Sequence, residues 1–212
     1  MDGSARNGKV RILGHTYANC VEHAGARIFY AASAVENLTI YGSDVSNAFG
    51  EAPAPKQGAF ILPDRAFYQW WTKHKGRERI PPGYVVPVQR AMQGHPESPR
   101  LWEKHIDDIL KDIGLVPTVH EPCLYHGKID GKRILFLRQV DDFACAAPDQ
   151  RTADILLDMI DDRLSIPIKR KGPVTLFNGF DVNQTKYYIK LSVETYITRI
   201  CEKHMETWMK DA

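Results

Sequence analysis

A chain of 212 residues with 43% hydrophobic residues has room for one large or two small folded domains around an ordinary core. Its net charge of +2 neither requires nor excludes a nucleic-acid partner. No apolar run approaches the roughly 20 residues of a bilayer-spanning helix, and four scattered cysteines without a secretory signal suit a reducing intracellular setting better than a disulfide scaffold.

Residues 1–9, with Gly, Ser and Asn, read as an irregular start. A first helix is expected over Ala24–Glu36, with Ile28, Phe29, Ala32 and Val35 on its apolar stripe and Asn37 as its stop. Leu38–Tyr41 then alternates as a strand that runs towards Asp44. Between residues 50 and 66, Pro53, Pro55, Gly58 and Pro63 punctuate short apolar pieces, which predicts an irregular or short-stranded segment. It continues into the aromatic cluster Phe67-Tyr-Gln-Trp-Trp71, read as a satellite core in preference to a base-stacking platform.

Tyr84–Val88 is an interrupted strand, of edge type because of Pro87. Ser98 as N-cap and Pro99 in the first turn open a helix whose stripe is Trp102, Ile106, Ile109, Leu110 and Ile113, and Gly114 ends it. Strands are predicted at Cys123–Tyr125 and Arg133–Leu137, with a return strand to Ala147. A helix over Arg151–Leu164 has Ile155, Met159, Ile160 and Leu164 inward. Val174–Val182 and Tyr187–Leu191 form a hairpin through Asn183–Lys186, and a last helix after Ser192 gathers Val193, Tyr196, Ile197, Ile200, His204 and Trp208 on one face. Strands and helices neither alternate strictly nor segregate, which predicts an α+β fold with helices packed on one face of a mainly antiparallel sheet.

Three acidic pairs stand in this framework. Asp107–Asp108 and Asp161–Asp162 lie in helical periodicity, where adjacent side chains diverge into solvent. Asp141–Asp142 instead joins two apolar runs, Ile134–Val140 and Phe143–Ala147, at a tight strand-to-strand turn that lacks the usual Asn-Gly chemistry. Two carboxylates there repel unless a cation joins them, and oxygen ligation suits Mg²⁺. A two-ion site needs a third carboxylate, for which strand-end Asp44 is the candidate. Cys20-x-x-His23, His120-x-x-Cys123 and Cys201-x-x-His204 invite zinc, but they do not combine into the paired, compact-loop spacing of a structural site. The basic runs Lys73–Arg79 and Lys169–Lys171 suit solvated loops better than phosphate sites.

Taken in order, Asp44-Val-Ser-Asn-Ala-Phe49, Met92-Gln-Gly-His-Pro-Glu-Ser-Pro-Arg-Leu-Trp102, His120-Glu-Pro-Cys-Leu-Tyr125, Gln139-Val-Asp-Asp142 and Phe177-Asn-Gly-Phe-Asp-Val182 resemble the motifs of reverse transcriptases of copia-type long-terminal-repeat retrotransposons. Gln139 replaces that family's tyrosine and Asn178 its leucine. The resemblance implies a polymerase palm with partial fingers. Residues 1–43 would be partial fingers and the first palm helix and strand, 44–191 the palm with a fingers portion inserted at about 50–90, and 192–212 the start of the thumb.

It further implies an RNA- and DNA-templated DNA polymerase with two Mg²⁺ ions, or Mn²⁺ in their place, held by Asp44, Val45, Asp141 and Asp142. Lys169 would protonate pyrophosphate. Val45, Asn47, Ala48, Phe49, Gln93 and Gly94 would line the nucleotide, with Phe49 as a gate against a ribose 2′-hydroxyl, and Phe177, Asn178 and Gly179 would grip the primer. The implied partners are an RNA or DNA template with its primer, dNTP, and the remainder of a polyprotein carrying thumb, ribonuclease H and integrase, with no membrane. The expected location is cytoplasmic, in a virus-like particle, with a nuclear stage as a second expectation. The alternative is a non-catalytic nucleic-acid-binding or assembly fragment of the same polyprotein.

Overall fold

The structure is a computed structural model that describes residues 16–56, 58–75, 81 and 83–210. The irregular start at 1–9, the basic run beyond Lys75 and the side chain of Trp208 lie outside the described residues. The elements are α1 (His23–Val35), β1 (Thr39–Asp44), β2 (Phe60–Ile61), α2 (Arg65–Lys75), β3 (Val86–Pro87), α3 (Ser98–Asp112), β4 (Val116–Pro117), β5 (Leu124–Ile129) and β6 (Lys132–Gln139). Then follow β7 (Asp142–Ala147), α4 (Gln150–Asp161), β8 (Lys169–Pro173), β9 (Leu176–Phe177), β10 (Phe180–Gln184), β11 (Ile189–Ser192) and α5 (Glu194–Lys210). Two compact units divide the chain: one built on Asn47–His105 with the described residues before Asn19, the other on Asn19–Ser46 and everything from Ile106 onward.

The second unit contains a six-stranded sheet in the order β4-β5-β6-β7-β1-β8 and a three-stranded sheet in the order β11-β10-β9. Every pairing in them is antiparallel, which agrees with the expected α+β class. The central strands read Lys-Arg-Ile-Leu-Phe-Leu-Arg-Gln and Asp-Phe-Ala-Cys-Ala-Ala, continuous apolar runs without the alternation of a half-wet strand. Such runs need cover on both faces, and both faces are covered. Ile40, Leu135, Leu137, Ala144 and Ala146 pack with Ala26, Phe29 and Tyr30 of α1 and with Phe177 and Val182 of the small sheet. On the other face Tyr125 meets Phe136, and Phe136 meets Phe143, with ring centroids 6.4 and 5.2 Å apart. The Tyr125 hydroxyl donates to Asp107 of α3 at 2.9 Å, and Arg170 of β8 bridges Asp154, Asp158 and Asp161 of α4.

Helices therefore lie on both faces of the large sheet, a correction to the one-face expectation. The reason is length and hydrophobicity: strands apolar on both sides cannot leave one side to water.

Several boundaries shift for local reasons. In α1 the buried positions are Gly25, Ala26, Phe29, Tyr30 and Ser33, whereas Ile28 and Val35 are 60% and 81% exposed. The buried stripe is rotated because α1 is tied down at its N-terminus by Glu121. The Glu121 carboxylate accepts from the Glu22 N–H at 2.9 Å and from the Cys123 N–H at 3.0 Å, which supplies the cap that Glu22 itself does not provide. A β-carbon at Gly25 would lie 2.4 Å from Glu121 Oε2, so the close approach requires glycine.

Ser98 does not cap α3. Its hydroxyl donates to the Met92 carbonyl at 2.6 Å and accepts from the Met92 N–H at 3.0 Å, which closes the preceding loop instead. The expected stripe of α3 is buried as read, and Gly114 ends it at φ +94. In α4 the inward set is Thr152, Ala153, Leu156, Leu157 and Ile160, which shares only Ile160 with the expected one, and Asp149 caps the helix by accepting from the Thr152 N–H. The Val174–Val182 run is broken by a second hairpin at Asn178–Gly179, and Lys169–Pro173, expected as a loop, is strand β8, recruited by pairing with β1.

In the first unit β2 pairs with β3 and Pro53 bridges Arg90, whose guanidinium donates to the Glu51 carbonyl at 2.8 Å. The aromatic cluster lies on a helix, α2, where an irregular segment was expected. Asp64 accepts from the Phe67 N–H at 2.7 Å and starts it. Phe67 and Trp71, four apart on one face, stack at 5.7 Å, while Trp70 is 44% exposed, so the cluster is a stripe on α2 and not a closed satellite core.

Candidate active site

β1 ends where the β6–β7 turn begins, and this brings the acidic residues of two distant segments side by side. Asp44 and Asp142 are register partners across β1 and β7, while Gln139 and Asp142 close the turn around Val140–Asp141. The Val45 N–H donates to the Asp141 carbonyl at 3.0 Å, which fixes the first motif to the turn. Val140 has φ +55. A β-branched residue in the left-handed region is strained by about 1–3 kcal/mol, a cost that persists only where the surroundings over-determine it. Here the two-residue turn, the flanking ladder and the Val45 bond do so. The Asp141 side chain is exposed at the tip and Asp142 is half-buried.

Lys171 completes the group. Its Nζ lies 2.6 Å from Asp142 Oδ1 and 3.9 Å from Asp44 Oδ1, so one cation already faces both carboxylates. Two hard oxygen donors around a positive charge are a donor set that fits Mg²⁺ or Mn²⁺. Among the described residues no three His, Cys, Asp or Glu side chains converge as a metal-binding group, and the ion pairs of Lys171 go to Asp44 and Asp142. None of the Cys–His spacings at 20/23, 120/123 and 201/204 is part of such a group, and burial pushes the thiol of Cys145, the remaining cysteine, up to about 12.

Lys169 stands opposite Asp44 in the β1–β8 ladder, whereas the ion pairs to the carboxylates come from Lys171 two residues on. Arg170, between them, is turned to the α4 aspartates, and its hydrogen bond to Asp158 raises its already high pKa. Phe177 is buried in the core between the sheets. Asn178 and Gly179 are the two central residues of the β9–β10 hairpin, with φ +48 and +81. Asn-Gly is the pair that such a turn prefers, which explains why asparagine replaces leucine. Gln139, in place of tyrosine, accepts the Val21 N–H at 3.0 Å and secures the segment that leads into α1.

The remaining candidates belong to the other unit. Asn47 has φ +54 and precedes the 3₁₀ turn Ala48–Glu51, in which Ala48 is buried and Phe49 half-buried. Gln93 and Gly94 form a turn closed by the His95 N–H on the Met92 carbonyl at 3.1 Å, with Gly94 at φ +85. Lys171 is the residue beside the carboxylates that the sequence did not single out, because it was indistinguishable from its two basic neighbours until the strand register was known.

No described helix is long and apolar enough to cross a membrane. A Ty5-1 transposon protein of Saccharomyces cerevisiae is 31% identical to the chain over 119 residues, 56% of this chain and 38% of that protein. The retrovirus-related Pol polyprotein from transposon RE1 of Arabidopsis thaliana is 24% identical over 208 residues, 92% of this chain and 13% of the polyprotein. That from transposon RE2 is 23% identical over 207 residues, with the same coverage. The chain thus spans well under half the length of these relatives. A reverse transcriptase (RNA-dependent DNA polymerase) family match covers residues 8–210. That span takes in every described element of both units, and the chain therefore belongs to the reverse transcriptase family, in the copia-type retrotransposon branch that its motifs resemble.

Proposed function

We propose that the chain carries the nucleotidyl-transfer centre of a retrotransposon reverse transcriptase, copying RNA or DNA templates into DNA from a primer 3′-hydroxyl and dNTP. The observation that carries this reading is the register pairing of Asp44 with Asp142 beside the Val140–Asp141 turn. By the family resemblance, Asp44, Asp141, Asp142 and the Val45 carbonyl would hold two Mg²⁺ ions, which when bound lower the pKa of the primer hydroxyl and neutralise the departing pyrophosphate.

The chain's own residues then divide the remaining work. The exposed Asp141 side chain is placed to swing without disturbing the ladder, because its backbone carbonyl and not its carboxylate holds Val45. Lys169, opposite Asp44, is the candidate proton donor to pyrophosphate. Asn47, Ala48, Phe49, Gln93 and Gly94 would line the nucleotide, with the Phe49 ring excluding a 2′-hydroxyl. The Asn178–Gly179 hairpin, held by buried Phe177, would steady the primer end. In this reading residues 44–191 are the palm with a fingers portion inserted at about 50–90, and α5 opens the thumb. The polyprotein remainder, a virus-like particle and a cytoplasmic or nuclear setting follow from the same likeness.

Template-directed incorporation tests the proposal. The 212-residue chain, offered an RNA or DNA template annealed to a DNA primer, is expected to add only the complementary dNTP, and only with Mg²⁺ or Mn²⁺. Asp141→Asn is expected to abolish addition. Binding of template–primer that weakens steeply with salt, with no addition by the unaltered chain, would instead establish the non-catalytic fragment.

A further inference from the structure

Strand β8 is built to deliver one lysine to the carboxylates. Its pairing with β1 slips between Gly42 and Ser43, so that Gly172 opposes Gly42, Arg170 opposes Ser43 and Lys171 is the extra residue of a bulge. Gly172 takes φ +70 next to it. Gly42 lets the Lys171 stem run close to the β1 backbone: a β-carbon there would meet Val174 Cγ2 at 3.0 Å and sit in ordinary contact with Lys171 Cβ and Cδ, at 3.5 and 3.8 Å. The lysine stem therefore lies along the bare backbone of β1 and ends with Nζ at Asp142 and near Asp44.

Its neighbour cannot substitute, since Arg170 is committed to Asp154, Asp158 and Asp161. The Lys171 side chain is 42% exposed, and Asp142 and Asp44 are 39% and 29% exposed. An ion pair this wet is weak and exchangeable.

We propose that Lys171 is a tethered counter-ion that holds Asp44 and Asp142 together and is displaced when a divalent cation binds them, so that it sets the cation concentration at which the site fills. The proposal rests on the metal-binding reading above. Lys171 is a positioning residue here: it offsets the repulsion between the two carboxylates that adjacent strands force together, and it competes with the metal for Asp142 Oδ1.

Binding of Mn²⁺ alone to the full chain, followed by the electron paramagnetic resonance of the free ion, tests this. Lys171→Met is expected to bind Mn²⁺ roughly threefold to tenfold more tightly than the unaltered chain, the range a partly exposed ion pair allows, and Lys171→Arg to keep the original affinity. Asp142→Asn is expected to weaken binding in each background. Equal or weaker binding by Lys171→Met, with the Asp142 dependence intact, would overturn the counter-ion role alone. Binding indifferent to Asp142 and Asp44 would overturn the metal site, and the counter-ion with it.

A second readout needs no substitution. Saturating Mn²⁺ is expected to speed acylation of the Lys171 amine, read by mass spectrometry, relative to Lys132, which pairs with Asp149 away from the site. Unchanged or slowed acylation would contradict displacement.

Discussion

Asp44→Asn is expected to lower dNTP incorporation by at least about a thousandfold while leaving the melting temperature within about 2 °C of the unaltered chain. The loss follows from charge. A catalytic cation contributes several kcal/mol of transition-state stabilisation, and each 1.36 kcal/mol is a factor of ten in rate. Asn keeps the shape of Asp but offers one neutral oxygen in place of a carboxylate that faces Asp142 across the ladder. Stability is spared because the Asp44 side chain is 29% exposed and its ion pair to Lys171 is long, at 3.9 Å. Substitutions at such positions usually stay within about 0.5 kcal/mol, and removing one of two facing negative charges relieves repulsion. Rapid-quench incorporation and thermal denaturation by circular dichroism measure the two halves separately. A parallel fall in both would mean that Asp44 is structural.

The opposite pattern is expected of Phe136→Ala, which should cost about 3–5 kcal/mol of stability, the range for deleting a buried aromatic ring. Phe136 is fully buried at the centre of β6. Its neighbours leave little room for collapse: it pairs with Tyr125 on one side and Cys145 on the other, and its ring meets those of Tyr125 and Phe143. Tyr125 is itself fixed by its hydroxyl on Asp107, so the cavity cannot close by a simple shift of that ring. For a domain of this size a loss of that magnitude lowers the melting temperature by on the order of 10 °C. Activity should follow the folded fraction, since β6 leads directly into the Val140–Asp141 turn. A variant that melts within 2–3 °C of the unaltered chain would show that this face of the sheet is not the tight core its burial indicates.

The parts of this arrangement that were legible in the sequence are those with a period or a fixed turn. Ile134–Leu137 and Phe143–Ala147 announced the central hairpin, and Trp102 to Ile113 announced α3, because burial of continuous or helically spaced apolar residues dominates there. The partnership of Asp44 with the Asp141–Asp142 turn was legible only through motif order, since nothing local draws the two segments together. Three things were hidden. β8 reads Lys-Arg-Lys-Gly-Pro, without any strand pattern, and is extended only because the edge of β1 accepts it. Lys171 gains its aim from a bulge that one sequence cannot reveal. Likewise, the burial of Tyr30 instead of Ile28 depends on how Glu121 clamps the start of α1, a contact between residues 99 apart.

The claim that the strand end and the turn form a single catalytic site is tested most directly by the double-mutant cycle of Asp44→Asn and Asp142→Asn, with single-turnover incorporation on annealed template–primer as the readout. Residues that act as one unit are strongly non-additive. The double variant is therefore expected to be within about threefold of the slower single variant. Losses that multiply, as they do for independent positions, would contradict a shared site.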